Sequence, residues 1–328
     1  MNRVKRIYGV HSLQQWEARI RARTGAERWL GDTTEESGRP RQPYLVVHGY
    51  KDLVRAISFL AVMNKLHVLL FRGQTHDFPQ LLPSLYRAHW RPAWASVPIP
   101  LDDREHYWNG LATAGKRALG VLQEEGLPRH RHVEERPAAR WAVLQHYDLW
   151  PTPLLDFTTS LRVAASFAFG LDPAAQEGFL YVVAVRGLRS DLMPLREHDG
   201  DARRDGPTAT PHDDPDRDDA QEREDAVMAI RLNAVCPPST SRPHLQDGVL
   251  IGHYPFGRET LHDATAHDAS SILVARLRLV NAGSFFTDDF PIHSRASLLP
   301  GDGGDALDRK LRDRFRYTAD ASGKVVLA

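Results

Sequence analysis

Between Tyr44 and Val280 the chain carries short apolar runs of strand length among longer stretches of helical spacing, with no regular strand–helix–strand rhythm. That irregular mixture argues against a sheet wound from βαβ units and predicts an α+β domain. Tyr44 to Val47 reads as a short strand, and Leu53, Val54, Ile57, Leu60 and Ala61 recur at helical spacing through Asn64. Leu66 to Phe71 is a compact apolar run suited to a buried strand, so Arg72-Gly73-Gln74 falls at its end or in the loop after it. From about Asp102 to Leu149 the spacing is mostly helical, until Pro151 and Pro153 prevent continuation. Thr158, Thr159 and Ser160 are natural N-cap residues for a helix over Leu161 to Phe169. Phe179 to Val185, Val249 to Tyr254 and Ile272 to Val280 read as strands. The last sets Leu273, Ala275, Leu277 and Leu279 on a buried face against Arg276 and Arg278. A turn over Gly301 to Asp305 leads into a closing helix with Leu307, Leu311 and Phe315 on one face and Asp305 as its cap.

A single domain over residues 44–328 accounts for these elements. Residues 1–43 read as a leader and linker ending in Gly38-Arg39-Pro40-Arg41-Gln42-Pro43. The span 196–225 is crowded with Asp, Arg, Gly and Pro and poor in large apolar side chains, which predicts a mobile insertion.

Charge and cysteine usage limit the partners. The 42 Lys and Arg balance 42 Asp and Glu, so no overall positive field draws in nucleic acid. Cys236 is the lone cysteine, which forbids an intrachain disulfide or a thiolate metal cluster and suits a reducing compartment. No run approaches the roughly 20 apolar residues of a membrane span, and no export signal follows the charged N-terminus. A cytoplasmic protein without a membrane partner is expected. Neither a P-loop nor a Rossmann glycine pattern occurs, nor does H-E-x-x-H, and His130, His132, His262 and His267 lack ligand spacing. No metal is expected.

Chemistry is concentrated in four separated segments. They are Phe71-Arg72-Gly73-Gln74 with Leu82-Pro83-Ser84-Leu85-Tyr86-Arg87; Leu144-Gln145-His146-Tyr147 through Thr159; Gln246-Asp247-Gly248; and Leu299-Pro300-Gly301-Asp302. Arg72 presents a planar fork of donors suited to phosphate, and Gly73 beside it lets a ligand approach the backbone. Thr158, Thr159 and Ser160 offer hydroxyls and free amides at a helix start, and Gln246 offers a donor and an acceptor to a diol. Each group has a structural alternative. Arg72 would pair with Asp156 in a buried bridge, Thr158 to Ser160 would only cap a helix, and His146 and Tyr147 would form a core pair.

In order and spacing the four segments resemble the FRG family. The resemblance spans about Tyr44 to Phe315, with departures at Trp150 (an extra residue), Pro153 (arginine in the family) and Asp247 (commonly glutamine). The order Arg72, Thr158-Thr159-Ser160, Gln246 is also similar to the ADP-ribosyltransferases. That resemblance implies a split β-sheet flanked by helices and NAD as substrate or ligand. It implies that Arg72 holds NAD phosphate or ribose, that the Gly73 backbone receives the nicotinamide amide, and that Thr158 to Ser160 shape the pocket. Tyr86, Arg87, His146 and Tyr147 join these as ligand contacts. The third position departs from that superfamily, because Gln246 stands where a charged glutamate is usual, leaving Asp156 as the other candidate carboxylate. Two activities follow as expectations. One is transfer of ADP-ribose to a protein, a nucleic acid or water, as in a toxin or defence effector, with Arg72, Gln246 and Asp156 as catalytic groups. The other is a non-catalytic module that senses a nucleotide or ADP-ribose.

Overall fold

The computed structural model describes residues 44–78, 80–90, 99–185, 227–253, 261–300, 305–320 and 324–328. The expected leader over 1–43, the insertion over 196–225 and residues 301–304 of the closing turn lie outside the described residues. In chain order the strands are β1 (Leu45–Val47), β2 (Val68–Gln74), β3 (His89–Trp90), β4 (Ile99–Pro100), β5 (Leu155–Thr158), β6 (Glu177–Val185), β7 (Val227–Arg231), β8 (Gly248–His253), β9 (Leu273–Val280), β10 (Tyr317–Ala319) and β11 (Val325–Leu327). Seven of them form one sheet in the order β1-β9-β6-β2-β5-β8-β7, antiparallel throughout except for the parallel β1–β9 pair. Helices and strands are thus mixed, as the irregular sequence pattern predicts.

Pairing within the sheet is uneven, and the unevenness makes the site. β2 runs against β6 from Val68↔Val185 to Gln74↔Phe179, and β5 runs against β8 from Leu155↔Ile251 to Thr158↔Gly248. Between β2 and β5, by contrast, the described residues form the single pair Phe71↔Thr158. From Arg72 to Gln74 the β2 edge on that side has no ladder partner. The Arg72 side chain spans the gap instead, its Nη1 donating to the Asp156 carbonyl at 2.7 Å.

The helices are α1 (Tyr50–Met63), α2 (Arg104–Glu124), α3 (His130–Glu135), α4 (Pro137–His146), α5 (Leu161–Ala168), α6 (Leu232–Val235), α7 (Arg242–Leu245), α8 (Arg295–Leu298) and α9 (Ala306–Arg314). On one face of the sheet α1 and α5 bury Leu53, Leu60, Ala164 and Ala168 against Leu180 and Leu277. Helices α2 to α4 and α9 build a second core with the β7–β8 end, around Leu122, Val143, Leu250 and Leu311. A third core gathers Leu70, Phe157, Tyr181 and Ile251. Trp150 belongs to the helical core, where its Nε1 donates to the Tyr107 carbonyl at 2.8 Å and its ring lies on Gly110. None of the described helices is long and apolar enough to cross a membrane.

Two sequence expectations are corrected. Of the three N-cap candidates Thr158 ends a strand, β5, and Ser160 alone caps α5, accepting from Val163 N at 3.4 Å. The strand is hard to see because it is four residues long, interrupted by Asp156 and placed behind two prolines. Arg276 does not face solvent. β9 lies between β1 and β6, and Arg276 is buried at 5 % exposure, paired with Asp77 and set over the Tyr181 ring, while Arg278 two residues on is 39 % exposed. A buried guanidinium persists where a carboxylate meets it.

Candidate functional site

A cavity of about 280 Å³ opens beside the Phe71↔Thr158 pair, where the β2–β6 and β5–β8 ladders meet. β2 contributes Phe71, Arg72 and Gly73, and β5 contributes Asp156, Phe157 and Thr158. Gln145, His146 and Asp148 enter from the end of α4, while Val163, Ala164 and Phe167 form the α5 wall. Arg242, Gln246 and Leu299 close the remaining side. The lining joins an apolar, aromatic part to a part bearing two guanidiniums and two carboxylates.

Arg72 is half-buried. Besides its bond to the Asp156 carbonyl, Nε and Nη2 lie 3.3 Å from the Gln74 amide oxygen when that amide is turned toward it. Burial lowers the Arg72 pKa, and the charge of Asp156 opposes the shift. Arg72 therefore meets the main chain of Asp156, while the Asp156 carboxylate has a different partner: Gln145 Nε2 donates to its Oδ2 at 2.8 Å. The orientation of Gln145 is forced, because its Oε1 accepts from Ser84 Oγ at 2.9 Å and from Thr152 Oγ1 at 2.6 Å. A hydroxyl can donate or accept, whereas a carboxylate oxygen accepts, so the NH₂ faces Asp156 and the amide oxygen faces the two hydroxyls. Ser84 comes from the first motif segment and Gln145, Thr152 and Asp156 from the second, and this network explains why those residue types occur together. Gln145 has no role in the sequence reading; only its place between the two hydroxyls and Asp156 reveals one.

Residues 67–177 match the FRG domain. Arg72, Gln145, His146, Asp148, Asp156, Thr158 and Phe167 of the cavity lie inside the FRG segment, and Arg242, Gln246 and Leu299 lie beyond it. Searches of curated proteins and of solved structures gave no match.

The structure brings Arg72, Gly73, His146, Asp156, Thr158 and Gln246 to one cavity. Thr158 Oγ1 donates to the Gln246 carbonyl at 2.7 Å and accepts from Ser160 N at 2.9 Å, so it ties β5 to the segment before β8. Gln246 ends α7, just before β8, and its Nε2 donates to the Leu298 carbonyl at 2.8 Å. Asp247 is likewise off the strand, with φ at 44°, and its carbonyl accepts from Thr159 N at 3.3 Å.

Other expected contacts are not on the wall. Tyr86 is buried and stacked on His267, ring centroids 4.1 Å apart. Tyr147 is buried behind the cavity, its hydroxyl donating to Asp305 Oδ2 at 3.2 Å. Consecutive helical residues point about 100° apart, so of the His146–Tyr147 pair one faces the cavity and the other the core. Thr159 is held through its backbone and Ser160 is the α5 cap. Arg87 is exposed and lies outside the lining, its Nε donating to the Leu82 carbonyl at 2.9 Å.

Sequence reasoning also missed Asp148 and Arg242. Asp148 adopts φ of 53°, a left-handed conformation that aspartate tolerates better than most residues. Although 42 % of its side chain is exposed, desolvation on the cavity side raises its carboxyl from the ordinary 3.8 to about 6, with Arg242 and Arg312 opposing and Asp156 and Asp308 adding to the shift. A carboxyl raised on folding holds its proton more tightly in the native chain, so its contribution falls as pH rises from about 4 toward 6. Asp148→Asn removes that titration and keeps the left-handed turn. Denaturant titrations are expected to show the variant gaining on wild type as pH passes through this window; parallel curves would show that the carboxyl is not strained.

Burial, with the charge of Arg242, holds His146 well below the usual histidine range, so its imidazole is neutral at physiological pH. Among the described residues no group of three or more His, Cys, Asp or Glu is arranged to hold a metal ion.

Proposed function

We propose that the cavity binds NAD through its nicotinamide ribose and adjoining phosphate, and that the chain cleaves the nicotinamide–ribose bond. The single observation that carries this reading is the meeting of Arg72, Asp156, Thr158 and Gln246 around one cavity at the break between the two strand ladders. Its volume, about 280 Å³, lies just below that of drug-sized ligand sites, which run from about 300 to 1,000 Å³. It suits one nucleotide half of NAD, with the remainder projecting through the open side. Phe71, Phe157 and Phe167 offer apolar surface to a planar ring, and the unpaired β2 edge at Gly73 offers backbone groups to a carboxamide.

In the reaction the C1′–N bond breaks with its electron pair going to nicotinamide, whose ring cation is thereby neutralised. Positive charge develops on the ribose, and the oxygen of water or of a macromolecular acceptor forms the new bond to C1′ and releases a proton. Asp156, held by Gln145, supplies negative charge beside that centre and accepts the proton. Gln246 is neutral and holds a ribose hydroxyl through Oε1. Growth arrest on expression, relieved by Arg72→Ala, would mark this activity as that of a toxin or defence effector.

A second reading, a non-catalytic module that senses a nucleotide or ADP-ribose, is favoured by one observation: the Gln246 amide is neutral and already tied to the Leu298 carbonyl. Calorimetry with NAD and ADP-ribose, beside a prolonged assay of nicotinamide release, separates the two. Wild type is expected to bind both ligands and release nicotinamide. Arg72→Ala is expected to weaken binding at least about tenfold and to slow release about a hundredfold. Binding without release leaves the sensing module, and no binding of either ligand overturns the reading.

A further inference from the structure

We infer that Arg242, with His146 beside it, is the cavity's anchor for a phosphate oxyanion, and that Asp148 holds this position until the ligand displaces it. The inference deepens the nucleotide reading and rests on it for the identity of the ligand, but the observations behind it are separate. Arg242 lies on α7, outside the matched segment, yet lines the cavity with 15 % of its side chain exposed. Its Nε is buried with no hydrogen-bond partner among the described residues, and its nearest carboxylate, Asp148 Oδ2, stands 3.8 Å from Nη2. That separation is an ion pair without a hydrogen bond.

A guanidinium removed from water normally satisfies its N–H groups with acceptors of its own. Arg72 in the same cavity does so on the Asp156 carbonyl. Among the described residues the Arg242 guanidinium meets the Tyr147 ring, at 5.6 Å, and a loosely held carboxylate. The planar donor fork fits a phosphate oxygen pair.

His146 repeats the pattern. It is 2 % exposed, its Nε2 has no partner among the described residues, and it lines the same cavity. A neutral imidazole with Nε2 protonated would donate a second hydrogen bond to an oxyanion without adding charge. The framework is built to hold Arg242 in place: its backbone N donates to Asp305 Oδ2 at 3.0 Å, the same carboxylate that meets Tyr147. Asp148 follows directly on that tyrosine, and its left-handed backbone sets the carboxylate toward Arg242. An arriving phosphate takes over as counter-ion, so Asp148 competes with the ligand.

Calorimetry at neutral pH with ADP-ribose and with inorganic pyrophosphate, on wild type, Arg242→Gln and Asp148→Asn, tests this. Arg242→Gln is expected to lose at least about tenfold in affinity for both compounds, and Asp148→Asn to bind both more tightly. Wild-type affinity for ADP-ribose in Arg242→Gln would overturn the inference while leaving the nucleotide reading intact. Arg242-dependent binding of pyrophosphate without binding of ADP-ribose would sustain the inference and overturn that reading; binding of neither compound overturns both. If Arg242→Gln does not fold, Asp148→Asn decides, because a gain in affinity cannot come from damage, and unchanged affinity there counts against the competition.

Discussion

Gly73→Ala is expected to destabilise the fold by about 3 kcal/mol, the upper range for overpacking, and to take ligand binding with it. A Cβ on Gly73 would lie 1.9 Å from the Ala164 carbonyl oxygen and 2.5 Å from Ala168 N. Both are backbone atoms of α5, so no rotamer change relieves the clash; the helix must withdraw from β2. It cannot slide toward β6, since Gly178 there is just as close: a Cβ on it would lie 2.3 Å from the Ala168 carbonyl oxygen. The glycine in the Phe71-Arg72-Gly73 motif thus seats a helix, and the helix carries Val163, Ala164 and Phe167 into the cavity wall. Urea denaturation gives the stability loss, and calorimetry with ADP-ribose gives the loss of the site. An alanine variant with a wild-type midpoint would show that α5 is not seated on β2 in this way.

Asp305→Ala is expected to cost a further class of interaction, about 3 kcal/mol in all. Asp305 is 2 % exposed and caps α9, its Oδ1 accepting from Leu307 N at 3.0 Å and Asp308 N at 3.2 Å. Its Oδ2 accepts from the Tyr147 hydroxyl and from Arg242 N. Alanine would uncap the helix and leave a buried hydroxyl without an acceptor. Asp305→Asn keeps an acceptor oxygen for part of this set and is expected to fall between alanine and wild type. Because Asp305 fixes the backbone of Arg242, the alanine variant is also expected to bind ADP-ribose more weakly at temperatures where it remains folded. Thermal melting and calorimetry measure the two effects; equal melting temperatures for all three proteins would contradict the account of α9.

The sequence made much of this legible, for reasons that differ by residue. Strands β2, β6, β8 and β9 are apolar runs, and their burial follows from that composition. Asp305 was readable as a cap because capping is local, set within three residues of the helix start. Arg72, His146, Asp156, Thr158 and Gln246 were found by motif resemblance, and they do share a cavity. Tyr86, Tyr147, Thr159 and Ser160 belong to the same motifs yet lie off the wall, because proximity along a motif does not fix which way a side chain points. Asp148 and Arg242 were invisible for the opposite reason. Their relation forms across the cavity, between the turn after α4 and the start of α7, and no local spacing encodes it. Arg276 misled because the loop residue Asp77 covers it, a long-range contact that alternation along one strand does not encode.

Hydrogen–deuterium exchange on the full chain, with and without saturating NAD or ADP-ribose, tests most directly whether three segments far apart in sequence serve one ligand. Slowed exchange is predicted together at Arg72–Gln74, at Asp156–Thr158 and at Arg242–Gln246. Unchanged exchange in all three, or protection confined to another part of the chain, would contradict the account.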